Sequence, residues 1–176
     1  LEHYPPEHQL SVMNLMGSHD RARTLTVLEG DEAARRTLLA MEFCLPGVPC
    51  IYYGDEAGME GFEDPFNRQT YPWGKEDREL LDWYRALGAL RKTHTALRRG
   101  ELRFVHGQGS LLAFTRKDEN EEILCVFNAG DELARLEVEG DQTLTPLLGR
   151  AAEEHTEDAR TLAIPPRSGV ALAGKD

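Results

Sequence analysis

Two short apolar runs, each leading into an amphipathic helix pattern, constrain this chain more than any other feature. Val12-Met13-Asn14-Leu15-Met16-Gly17 is apolar and closed by glycine, as a buried parallel strand would be. After a turn, Asp31 can cap a helix running to about Leu45, with Ala34, Leu38, Met41 and Leu45 on one apolar stripe. Pro46-Gly47 ends that helix, and Pro49-Cys50-Ile51-Tyr52-Tyr53-Gly54 follows as a second strand rich in β formers. A loop from Gly58 to about Gly74 leads to a second helix capped by Asp77, with Leu80, Trp83, Tyr84, Leu87 and Leu90 on one face. Strand–helix–strand–helix order is the signature of parallel α/β structure. Two parallel strands cannot close a barrel or cover their own edges, so further strands must come from another chain or a longer parent.

Beyond Arg99-Gly100 the texture changes. Short β-forming runs recur at Leu102 to His106, Leu111 to Arg116, Ile123 to Phe127, Leu133 to Val138, Thr143 to Leu148, Thr161 to Ile164 and Gly169 to Ala173. Within the fourth run Ala134, Leu136 and Val138 alternate with Arg135, Glu137 and Glu139, the pattern of a half-buried strand. Turn residues at Gly107-Gln108-Gly109, Asn128-Ala129-Gly130-Asp131 and Gly140-Asp141 separate these runs. About seven strands at this spacing predict an antiparallel β-sandwich. The expected division is residues 1–98 as an incomplete α/β barrel unit and residues 99–176 as the sandwich.

Composition narrows the function. With 176 residues the chain is too short for a complete (β/α)8 barrel, which needs ~250. A formal net charge of −11 repels phosphate backbones, which argues against nucleic acid, whereas neutral sugars meet no such penalty. Cys44, Cys50 and Cys125 lack disulfide-framework or zinc-ligand spacing and read as buried free thiols. No apolar run reaches the roughly 20 residues needed to span a bilayer, so a membrane is not an expected partner. The opening Leu-Glu-His-Tyr-Pro-Pro lacks an initiator Met and the features of a signal peptide, and reads as the middle of a longer protein.

Three polar constellations could carry chemistry. Gly17-Ser18-His19-Asp20 places an imidazole and a carboxylate at the carboxyl end of the first strand, the functional face of parallel α/β folds. Such a pair can hold vicinal sugar hydroxyls or orient a proton transfer, although a lone His-Asp pair is more often an ordinary loop or capping contact. Asp55-Glu56 follows the second strand and reads as a solvated turn or as hydrogen bonds tying loops together. Asp64-Pro65-Phe66-Asn67-Arg68, followed by Tyr71-Pro72-Trp73, mixes aromatic rings with carboxylate and guanidinium. That mix suits pyranose rings and their hydroxyls, and equally an ion pair beside a packed Trp.

Taken together and in order, these segments resemble the alpha-amylase family of glycoside hydrolases. Asn14 to Asp20 is similar to the family's fourth conserved region, and Pro46 to Glu56 to its eighth barrel strand. Asp64-Pro65, Asn67-Arg68 and Pro72-Trp73 resemble the loop that follows that strand. Ala89-Leu90-Arg91-Lys92 and Leu97-Arg98-Arg99-Gly100 resemble the hinge into the family's C-terminal sandwich. The branch resembled is that of neopullulanase, cyclomaltodextrinase and maltogenic amylase.

The resemblance implies the last two βα units of a (β/α)8 barrel followed by an antiparallel β-sandwich C-terminal domain. It implies that Asp20 is the third catalytic carboxylate, a transition-state stabiliser, and that His19 bonds the same sugar. It implies that Asp64 and Arg68 contact a glucose further toward the non-reducing end. The partner expected is an alpha-glucan oligosaccharide, together with the missing N-terminal barrel portion or self-association through exposed barrel edges. The family's usual calcium ligands would lie upstream, so no cofactor or metal is expected in this segment. The free cysteines and the branch resembled point to the cytoplasm.

One departure limits the implied activity. A retaining glycosidase needs a carboxylate nucleophile and a carboxylic acid ~5 Å apart. The family's Gly-x-Arg-x-Asp and strand-Glu motifs, which supply them, do not occur here; Gly30-Asp31-Glu32 starts a helix instead. The chain alone is therefore expected to be inactive. The alternative reading is a non-catalytic carbohydrate-binding sandwich. It requires exposed aromatics, whereas Phe104, Phe114 and Phe127 lie in strand patterns that predict burial. A third reading, a truncation product with no function of its own, requires exposed apolar surface on the barrel-derived half.

Overall fold

The computed structural model describes residues 5–140, 142–155 and 160–175. The first four residues and Asp141, used above for the chain start and one turn, lie outside the described residues. The first half runs α1 (Pro6–Gln9), β1 (Met13–Leu15), α2 (Thr24–Val27), α3 (Glu32–Cys44), β2 (Val48–Cys50), α4 (Arg78–Thr93) and α5 (Thr95–Arg99). β1 and β2 pair in parallel, Met13 opposite Val48 and Leu15 opposite Cys50, so the α3 crossover makes the expected βαβ unit.

Both long helices start where capping chemistry places them. Asp31 Oδ1 accepts from the Ala34 N–H at 2.8 Å, and Asp77 Oδ1 from the Leu80 N–H at 3.0 Å. On α4, Leu80, Tyr84, Leu87 and Leu90 are buried, and half-buried Trp83 donates its Nε1–H to Arg36 O at 3.3 Å. On α3 the buried face is rotated from the expected stripe. Leu39, Ala40, Phe43 and Cys44 are buried, whereas Ala34, Leu38, Met41 and Leu45 are only half so. The cause is where the neighbours stand: the first set meets α4 and the sandwich. Ala34, Leu38 and Met41 face a cavity of about 570 Å³ shared with Leu112 and Phe127.

The parallel pair differs from its sequence reading in two respects. β2 stops at Cys50, and Tyr52 and Tyr53 leave the ladder to pack against Arg23. The strands are also not buried: Met13, Leu15 and Val48 are each more than half exposed. Among the described residues this sheet has only two strands; α3 lies against β2, with Glu42 accepting the Cys50 N–H at 3.3 Å, while Met13, Leu15 and Val48 stand uncovered.

The second half is an antiparallel sandwich. One sheet has the order β3 (Glu101–Gln108), β4 (Leu111–Lys117), β5 (Glu122–Asn128), β10 (Ser168–Lys175), β7 (Thr143–Leu148). The other has the order β6 (Ala134–Val138), β9 (Arg160–Ile164), β8 (Ala152–His155). β8 escaped the sequence reading because Ala-Glu-Glu-His has no apolar alternation. It is exposed along its length and held at the sheet edge by ladder bonds to β9 and by Arg135 Nε donating to Glu154 at 2.9 Å. Phe104 corrects another expectation. Phe114 and Phe127 are buried, but Phe104 is 51% exposed because β3 is an edge strand.

The five-stranded sheet is covered on both faces. Phe114, Ile123, Cys125, Phe127 and Ala171 share a core with α3, α4 and α5, while Ala113, Val126, Val170 and Leu172 pack with Leu136, Leu162 and Ile164 of the second sheet. This explains the unbroken apolar run in β5, since alternate residues serve two cores. Polar locks reinforce the junction at the α3 C-terminus, where helix carbonyls lack partners within the helix. Arg91 donates to Phe43 O at 2.6 Å, to Leu45 O at 3.1 Å and to Gly47 O. Arg116, fully buried on β4, donates to Cys44 O and to Gly100 O at 3.0 Å. Burial, with Arg91 nearby, pushes the Arg116 guanidinium down to about 10.

Candidate active site

β1 delivers the chain into Gly17-Ser18-His19-Asp20 at its carboxyl end. Gly17 permits this approach, because a Cβ there would lie 2.4 Å from Asp55 Oδ2. Thr24 Oγ1 donates to Met16 O at 2.8 Å, and the Asp20 N–H donates to Ser18 Oγ at 3.2 Å, closing the loop. His19 Nε2 and Asp20 Oδ1 lie 3.2 Å apart, with side chains 60% and 73% exposed. Both are open to a ligand. Asp64 and Arg68 form a second exposed pair, Arg68 Nε standing 2.8 Å from Asp64 Oδ1.

A buried knot ties together the two loops that carry these pairs. Asn67, fully buried, donates through Nδ2 to His19 O at 2.9 Å and to Arg21 O at 2.6 Å. Arg23, also fully buried, donates through Nε to Asn67 O at 2.9 Å. Its Nη1 donates to Tyr53 O and to Asp55 Oδ1, both at 2.8 Å. The guanidinium lies 4.6 Å from the Tyr52 ring centre and 5.0 Å from that of Tyr53, distances suited to cation–π attraction. Tyr53 Oη donates to Gln69 O at 2.7 Å, and the Arg23 N–H to Gly61 O at 2.9 Å. Burial raises the Asp55 carboxyl above its ordinary range, and the Arg23 hydrogen bond and charge oppose that rise.

The sequence reading of Asp55 as a residue tying loops together matches this contact, whereas Glu56 serves the turn itself by accepting the Gly54 N–H at 2.8 Å. Arg23 and Asn67 were missed as site-building residues. Asn67 stands inside the motif that drew attention to Asp64 and Arg68, but nothing in the text separates Arg23 from its neighbour Arg21. Trp73 is 81% exposed, not packed, with the Tyr71 ring 4.5 Å away. Among the described residues, no three His, Cys, Asp or Glu side chains are grouped to hold a metal ion. No described helix is long and apolar enough to cross a membrane.

The architecture is a βαβ unit with polar loops beyond the carboxyl ends of its strands, joined to an antiparallel sandwich. Comparison with known proteins gives the family. The profile of the alpha amylase catalytic domain matches residues 3–76, and that of the maltogenic amylase C-terminal domain matches residues 102–170. A cyclomaltodextrinase of Geobacillus thermopakistaniensis is 36% identical over 98% of this chain, which spans 31% of that relative. An intracellular maltogenic amylase of Bacillus subtilis is 37% identical over 68% of this chain and 21% of its own length. The crystal structure of a debranching enzyme from Nostoc punctiforme superposes with a TM-score of 0.87 at 35% identity, covering 99% of this chain and 37% of that one. The chain belongs to the alpha-amylase family of glycoside hydrolases. Its fold is the family's terminal barrel segment followed by the C-terminal sandwich.

Proposed function

We propose that this chain supplies the last quarter of the barrel and the C-terminal domain of a retaining alpha-glucan hydrolase or transglycosylase. The substrates proposed are starch-derived oligosaccharides, cyclodextrins or pullulan, in keeping with relatives named cyclomaltodextrinase and amylopullulanase. In this reading Asp20 faces the sugar at the cleavage point and stabilises the oxocarbenium-like transition state, while His19 bonds the same ring. Asp64 and Arg68 bind a neighbouring glucose. The observation that carries the reading is the Asn67 bridge, which ties the His19–Arg21 backbone to the loop bearing Asp64 and Arg68. This tie between the two loops supports reading the two exposed pairs as parts of one rim.

The nucleophile and the acid are proposed to come from upstream barrel strands, which would also cover the open faces of β1 and β2. The chain alone is proposed to be inactive, to self-associate through those faces, and to belong to a cytoplasmic protein, the last supported by the intracellular relative. Incubating the purified chain with maltotriose or pullulan is expected to release no reducing sugar. Release that Asp20→Ala abolishes would overturn this. In the full-length enzyme, Asp20→Asn is expected to lower kcat at least about a hundredfold, with retention of configuration read from the anomer first formed.

One observation favours a second reading, a carbohydrate-binding sandwich: Phe104 and Val105 are exposed side by side on the edge strand β3. Cyclodextrin binding by the chain that disappears in Phe104→Ala would support it.

A further inference from the structure

Asp20 has little of its own to hold it in place. Its side chain is 73% exposed, and the side chain 3.2 Å from it is that of His19, which is itself exposed. The direction of the carboxylate therefore follows from the backbone on either side. That backbone is gripped at two points by one amide: Asn67 Nδ2 takes both the carbonyl before Asp20, His19 O, and the one after it, Arg21 O. Asn67 is anchored in turn, because Arg23 Nε fixes its carbonyl while Nη1 is held by Tyr53 O and Asp55 Oδ1.

This arrangement is not what stability alone would select. Arg23 and Asn67 are fully buried, and Arg23 Nη2 and Asn67 Oδ1 find no partner among the described residues. A buried guanidinium and a half-satisfied amide carry a desolvation cost that well-packed apolar residues would avoid. The cost is concentrated directly behind the most exposed carboxylate–imidazole pair of the loop.

We infer that Asn67, braced by Arg23, is a positioning residue for the reaction: it touches no sugar and sets the orientation of the Asp20 carboxylate relative to the Asp64–Arg68 pair. The inference rests on the proposed role of Asp20. Orientation errors of about an ångström are costly when a group acts only in the transition state, and such losses fall on kcat rather than KM.

The test is a double-mutant cycle in the full-length enzyme, using an activated aryl maltoside so that weak variants remain measurable. Asn67→Ala is expected to lower kcat roughly tenfold or more with KM within about twofold, and to cause no further loss in an Asp20→Asn background. Asn67→Asp, which keeps the shape but not the N–H donors, should match Asn67→Ala. Arg23→Lys, which keeps the charge but loses the planar fork, should fall between them and wild type. Should Asn67→Ala fail to fold, Asn67→Ser and Arg23→Lys carry the same cycle. An unchanged kcat in Asn67→Ala, or an equal loss in both backgrounds, overturns the inference by showing a merely structural residue. An Asp20→Asn enzyme with wild-type kcat fails the underlying reading instead.

Discussion

The centre of the five-stranded sheet and the parallel pair β1–β2 are drawn from similarly apolar sequence, yet one is covered on both faces and the other is largely open. In β5, Ile123, Cys125 and Phe127 face the helices and Val126 faces the second sheet, so no apolar side chain is left over. In β1 and β2, Met13, Leu15 and Val48 have ladder partners but no covering layer. Backbone pairing therefore survives without a core in the second case, and the lesson is that pairing and burial are separable. The helices α3 and α4 mediate between the two regions, because their buried faces belong to the sandwich core.

The largest effect expected from this contrast is at Phe114, which is fully buried where helices and sheet meet. Phe114→Ala should cost about 4 kcal/mol in urea unfolding, with Trp fluorescence and far-ultraviolet dichroism falling together. Two separate transitions would break the comparison, since they would mean that helices and sheet do not share one core.

Glu42 comes next. It is almost fully buried, and burial pushes its carboxyl up to about 7, with Asp55 adding to the rise and the Cys50 N–H and Arg91 opposing it. The folded-state value lies above the ordinary 4.5, so this group favours folding below about 4.5 and the contribution is lost as pH rises through 7. Glu42→Gln should therefore be more stable than wild type by roughly 3 kcal/mol at pH 8 and about equal at pH 4. Identical pH–stability curves for the two proteins would exclude a buried carboxyl at this junction.

Arg116→Met keeps the aliphatic stem but leaves Cys44 O and Gly100 O without their donor. A loss of about 2 kcal/mol is expected in the same urea assay. The smallest effect belongs to the open pair. Met13→Ser with Leu15→Ser should alter the stability of this chain by less than about 0.5 kcal/mol while reducing hydrophobic-dye binding. A large destabilisation there would show that the faces are covered in solution.

Much of this was legible in the sequence, and the omissions share one cause. Asp31 and Asp77 announced their helices because capping is local chemistry. Seven of the sandwich strands announced themselves through β-rich apolar runs, while Ala152–His155 did not, because only its neighbour β9 makes it a strand. The rotated face of α3 and the exposure of Phe104 depend on which surfaces stand opposite, which residue spacing does not encode. In the candidate site, His19, Asp20, Asp64 and Arg68 were visible as polar groups in loops after strands. Arg23 and Asn67 were not, because their importance lies in contacts 44 to 48 residues away in the chain.

The short helix between the two halves has a practical consequence. Ala96 and Leu97 of α5 are fully buried, and His94 Nδ1 sits 2.7 Å from Glu121, so the connection is wedged into the structure and is not a loose tether. A protease nick at that connection would leave two pieces that still migrate as one particle. Releasing the sandwich as a separable module would expose the greasy underside it shares with the helices, so excising it for use elsewhere would demand that this underside first be made polar.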